Sequence, residues 1–223
     1  MTNNYINLVV LGNFNPSILT HDFLVTECEF DLESEPVSSS PPVPVISSLD
    51  YSNVSFLADL GRLQITENNC KNPKQSKLPM YLKRYLAKLH YTPITKCGAN
   101  FNYNVEVQKI KIGEIEQKLL KDRQFFCKAL KADEIGLEIA LDISSDSETV
   151  KNWTLRTMTQ SGESSTTMNV STAGEPNTVK INFNYEINLE QERNRIKKIT
   201  DDYAKVYELF LFQLRKLFEE NKS

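Results

Sequence analysis

TVKINFNYEINLEQERNRIKKITDDYAKVYELFLFQLRKLFEE, residues 178–220, sets the fold class. Its first part alternates Ile181, Phe183, Tyr185 and Ile187 with Asn182, Asn184 and Glu186, the period-2 pattern of a strand with one buried face. The period then changes. Ile196, Ile199, Tyr203, Val206, Tyr207, Phe210, Leu214 and Leu217 recur at helical spacing, thickened by Leu211 and Phe218. A strand thus feeds directly into a helix over 190–220, about 46 Å long at 1.5 Å per residue.

Upstream of this stretch, residues 135–143 alternate Ile135, Leu137, Ile139, Leu141 and Ile143 with small or acidic residues. Further strands are predicted at 152–160 and 165–172. Strands this close in sequence favour an antiparallel meander. Residues 5–12 (YINLVVLG) form a buried strand. Residues 53–60 and 62–68 form a hairpin about Gly61, and Phe101, Tyr103, Val105 and Val107 a further strand after Gly98. Helices are expected at 77–90, with Pro79 in the first turn and Tyr81, Leu82, Tyr85, Leu86 and Leu89 on one side, and at 113–131. Residues 33–48 (ESEPVSSSPPVPVISS) read as an extended connection, mobile or laid over the surface. The expectation is a single α+β domain over 1–223, with a largely antiparallel sheet and the long C-terminal helix packed on it.

That helix supports two readings. It lies across the sheet, or its far end outruns the sheet and packs on a second chain. In the second reading Tyr203, Tyr207, Phe210, Leu214, Leu217 and Phe218 form the interface of a homo-oligomer.

The charge is distributed unevenly. The net value is -3, but residues 1–61 hold no Lys or Arg and eight acidic residues, a net of -8. Residues 71–131 hold 14 bases against 4 acids, a net of +10. Lys83, Arg84, Lys88, Lys121, Arg123 and Lys128 make a candidate basic patch, with tyrosines interleaved. Such a pattern can bind nucleic acid. The tyrosines belong to a buried stripe, however, and the low pI does not suit a duplex binder, so an acidic protein surface is the preferred partner. Alternatively the acidic N-terminal segment docks across the basic helices.

Cys28, Cys70, Cys97 and Cys127 are scattered without C-x-x-C, which fits free thiols in a reducing compartment. The first residues lack a positive n-region, and no segment approaches the roughly 18 apolar residues of a membrane span. A cytoplasmic protein without membrane contact is expected. His21 and His90 have no metal-ligand spacing. No Walker A loop, G-x-G-x-x-G or G-x-S-x-G occurs. Neither cofactor, metal nor catalytic residue is expected.

The most enzyme-like stretch is Gly12 to His21, directly after the first strand. It resembles a degraded first motif of cytidylyltransferase-type nucleotidyltransferases, G-x-F-D-P-x-H-x-G-H. Gly12, Phe14, Pro16 and His21 match, Asn15 stands where Asp is usual, Ile18 replaces the first His and Thr20 the Gly. The resemblance implies Gly12, Asn15 and His21 as ligand-binding residues. The family's second phosphate motif is not visible, and a meander does not suit its parallel sheet. The hairpin LADLGRLQITENN and the join KINFNYEINLEQE are similar to a sporadically distributed group of uncharacterised bacterial proteins. That resemblance implies an α+β fold and an accessory role in defence against phage or other mobile DNA. It carries over no catalytic residue.

Three functions are expected on these grounds. The first is a non-catalytic interaction or accessory subunit that self-associates. The second is a small-ligand or nucleotide-binding module with a cavity between the sheet and the C-terminal helix. The third is a degenerate nucleotidyltransferase.

Overall fold

The computed structural model describes residues 2–32, 35–40, 43–106, 138–143, 151–158, 164–172, 178–189 and 193–218. The helix expected at 113–131 lies outside the described residues.

Alternating apolar residues build one sheet. Its strands are β1 (Thr2–Gly12), β2 (Ser38–Ser39), β3 (Ile46–Asp50), β4 (Val54–Asp59), β5 (Arg62–Asn68), β6 (Ile94–Glu106), β7 (Glu138–Ile143), β8 (Lys151–Met158), β9 (Ser164–Thr172) and β10 (Thr178–Asn188). Among the described residues they run in the order β2-β3-β4-β5-β1-β6-β10-β9-β8-β7. Every paired neighbour is antiparallel. The meander is present as β7 to β10. β1 lies in the middle, between β5 and β6, so the first residues of the chain join the core rather than a separate unit.

The stretch 33–48 is more than a connection. Ser38–Ser39 and the start of β3 fall in it and form the sheet's edge, with Ser38 opposite Asp50. Short polar edge strands escape period-2 analysis because they have no apolar side to reveal them.

Register sorts the two faces. Val54, Glu67, Ile6, Phe101, Phe183 and Met168 share one row across β4, β5, β1, β6, β10 and β9. The adjacent row on the other face reads Ser55, Thr66, Asn7, Asn100, Asn184 and Thr167. There the amides pair across strands, Asn100 Nδ2 donating to Asn7 Oδ1 at 2.7 Å and Asn182 Nδ2 to Asn102 Oδ1 at 2.7 Å.

The apolar face carries the helices α1 (Leu78–Lys88), α2 (Lys197–Thr200) and α3 (Tyr203–Phe218). The expected single helix over 190–220 is therefore corrected. A short 3-10 turn (Arg193–Ile196) leads into α2, and the chain breaks at Asp201–Asp202 before α3. Asp is a poor residue inside a helix and a good one at a start. The break lets α2 pack on α1 while α3 crosses β6.

Under α3 the core is aromatic. Phe210 stacks on Phe101 with ring centroids 5.5 Å apart and planes 10° apart. Phe183, Tyr103 and Tyr207 surround it at 5.3, 5.1 and 6.0 Å. Tyr103 and Tyr207 join their hydroxyls at 2.8 Å, which satisfies two buried phenols together.

The acidic N-terminal segment docks on basic α1. Phe14, Leu19, Leu24, Cys28 and Phe30 anchor residues 14–30 in the core, where Phe30 meets Tyr81 and Phe23 meets Tyr85. At the rim Lys77 pairs with Asp31 at 3.0 Å and Lys88 with Glu27 at 3.9 Å, and Arg84 donates to the Glu29 carbonyl. These exposed contacts are each worth about 1 kcal/mol or less. They orient the segment, while the aromatic contacts hold it.

Candidate functional site

The irregular edge of this packing leaves a cleft of about 300 Å³ between α1 and the end of the β4–β5 hairpin. Four pieces of chain wall it. Asp31 and Leu32 come from the docked N-terminal segment, and Tyr51, Ser52, Asn53 and Val54 from the turn joining β3 to β4. Glu67 comes from the end of β5, and Gln75, Lys77 and Tyr81 from the approach to α1 and its first turns. The β3–β4 turn is closed by the Tyr51 N–H on the Val54 carbonyl at 2.8 Å.

Glu67 is the unusual member. It continues the inward period of Leu63 and Ile65, and stands in register with Ile6 and Val54 on the apolar face. Ser76 Oγ donates to its carboxylate at 2.5 Å and accepts the Leu78 N–H at 3.2 Å. The Cys70 thiol also hydrogen-bonds Glu67; burial first, then this carboxylate, pushes that thiol up to about 12. Among the described residues no ion pair reaches Glu67. Lys77 is paired instead with Asp31, whose carbonyl accepts the Tyr81 hydroxyl at 3.3 Å.

Tyr51 links the cleft to His21. Its hydroxyl lies 2.9 Å from His21 Nδ1, and His21 Nε2 lies 3.4 Å from Glu35. Burial, and then the Glu35 charge, pushes the Tyr51 phenol up to about 12.

The residues singled out in the sequence separate. His21 reaches the cleft through Tyr51. Gly12 and Asn15 do turn chemistry: a Cβ at Gly12 would stand 2.3 Å from the Pro93 carbonyl oxygen, and Asn15 Oδ1 accepts the Ser17 N–H at 3.1 Å. Asn15 is succeeded by a three-residue 3-10 turn (Pro16–Ile18), which cannot present the N-terminus of a long helix to a phosphate.

Tyr203, Tyr207, Phe210 and Leu214 are at most 7% exposed and pack on the chain's own sheet, so they are corrected from interface to core. The side chains of Leu217 and Phe218 lie outside the described residues. Among the described residues the aromatic cluster around Phe210 occupies the space under α3 where a cavity was expected, and the cleft opens beside α1. In the basic patch, Lys83 reaches Asp201 at 3.3 Å while Arg84 and Lys88 engage the N-terminal segment. Lys121, Arg123 and Lys128 lie outside the described residues.

The cleft escaped sequence reading because its walls come from positions far apart in the chain. One signal was present: a charged residue at the third inward position of LQITE.

Among the described residues no group of three or more His, Cys, Asp or Glu could hold a metal ion, and no helix is long and apolar enough to cross a membrane. No protein-family model matches the chain, and no curated protein matches it. Among solved structures the chain is similar to the rolling circle replication initiator protein from Geobacillus stearothermophilus. The identity is 12%, the match covers 90% of this chain and 78% of that one, and the TM-score is 0.34.

Proposed function

We propose that the chain is a small-ligand-binding module and that the cleft beside α1 is its site. The observation that carries the reading is the convergence of polar groups on one concavity of about 300 Å³, the lower end of ordinary ligand pockets. Glu67, Ser52, Asn53, Gln75 and the Lys77–Asp31 pair line it. The apolar body of the wall comes from Leu32, Val54 and the two tyrosines. A few polar groups in an apolar concavity fix a ligand's orientation and select its chemistry.

The self-association reading loses support by the same packing. The aromatic residues that would have served a second chain are spent on the sheet of this one. The outward side of α3 carries Lys205, Glu208, Phe212 and Arg215, a mostly charged surface.

The test is a thermal-shift screen of small metabolites and nucleotides against the full chain and Ser52→Trp, which places a large ring at the exposed lip of the cleft. Ligands of the site raise the melting temperature of the wild type and not of the variant. Hits that stabilise both equally place binding elsewhere and contradict the reading.

A further inference from the structure

Resting on that reading, we infer that the ligand is a small organic cation, an amine or amidine, whose charge is received by Glu67. Along the apolar face of β3, β4, β5, β1, β6, β10 and β9, Glu67 is the charged side chain among the described residues. Glu67 is half-buried, and to that extent setting its carboxylate beside Ile6, Val54 and Tyr81 costs free energy unless donors or a counter-ion answer it.

The chain supplies two donors, the Ser76 hydroxyl and the Cys70 thiol, and both are uncharged. The cleft's own cation, Lys77, lies 3.0 Å from Asp31 in an exposed pair. Two carboxylates and one ammonium leave the lining at a net of -1. A phosphate or carboxylate ligand would face Glu67 and Asp31 together, whereas an ammonium or amidinium completes the missing pair. The amide oxygens of Asn53 and Gln75 and the hydroxyl of Ser52 offer acceptors for its remaining N–H groups.

The experiment compares benzylamine and benzamidine with benzyl alcohol and benzoate by saturation-transfer NMR and calorimetry. It uses the wild type, Glu67→Gln and Ser52→Trp. Glu67→Gln keeps an acceptor for Ser76 and removes the charge. The expected result is that the two cations bind the wild type at least tenfold more tightly than the alcohol, benzoate does not bind, and Glu67→Gln erases the difference. Equal binding of cations to the wild type and Glu67→Gln overturns the inference. The ligand series on the wild type stands independently of whether the variant folds. If the alcohol or benzoate binds in a Ser52-sensitive way and the cations do not, the cation inference fails while the cleft remains a site. If no compound binds, the cation inference is overturned, and the cleft reading is decided by the metabolite and nucleotide screen.

Discussion

Ser76 holds Glu67: the serine Oγ lies 2.5 Å from the carboxylate and takes the Leu78 N–H at 3.2 Å. One hydroxyl therefore receives the first N–H of α1 and contacts the cleft's carboxylate. Removing it by Ser76→Ala frees a helix-start N–H and a carboxylate contact, so stability falls by about 1 kcal/mol, the usual worth of such a contact. Urea denaturation measures this. Ser76→Thr, which keeps the hydroxyl, recovers most of the loss.

Phe210 fills the space beneath α3, against Phe101, Phe183 and Tyr103. Phe210→Ala opens a cavity there and costs about 3–5 kcal/mol. Denaturation monitored by circular dichroism reports the loss. Because the side chain is wholly buried in its own chain, sedimentation shows the folded variant in the same association state as the wild type.

Gln213 is 1% exposed, and its amide nitrogen has no hydrogen-bond partner among the described residues. A buried unmet donor costs about 1–3 kcal/mol. Gln213→Leu, similar in volume and apolar, raises the denaturation midpoint. A lowered midpoint would show that the amide is satisfied in solution.

The buried thiols set a pH dependence. Burial raises Cys28 to about 11, raises Cys70 to about 12 with help from Glu67, and pushes Cys97 upward. A folded thiol raised above its unfolded value contributes stability that is fully present below the unfolded value, roughly pH 8.5. It is lost as pH rises through the folded value. Stability is accordingly flat from pH 7 to 8 as far as these groups act, and declines between about pH 9 and 12. The same burial keeps Cys28, Cys70 and Cys97 unalkylated by iodoacetamide at pH 8 in the native protein, while all react in urea. Mass spectrometry reads both states.

Legibility in the sequence depends on range. The alternation of Ile181, Phe183, Tyr185 and Ile187 located β10, and the hairpin about Gly61 appears as β4 and β5 with Ala58 opposite Leu63. Local period is enough for such elements. The break at Asp201–Asp202 was hidden inside a continuous apolar stripe, since the stripe persists on both sides of it. The interface reading of Tyr203 to Leu214 failed for a related reason. A stripe shows that a face must be covered and not by what. The cleft was the least legible feature, because Asp31, Tyr51, Glu67 and Lys77 meet only when the N-terminal segment docks on α1. The charge asymmetry points to that docking, which the Lys77–Asp31 and Lys88–Glu27 pairs orient and the Phe30–Tyr81 and Phe23–Tyr85 contacts hold.

An amide chemical-shift titration of isotope-labelled protein with benzylamine probes the cleft itself, residue by residue. Saturable shifts are expected at Ser52, Asn53, Glu67, Gln75 and Lys77, and their disappearance in Glu67→Gln. Shifts absent from those amides, or centred on α3 or the asparagine face of the sheet, would refute binding at the cleft.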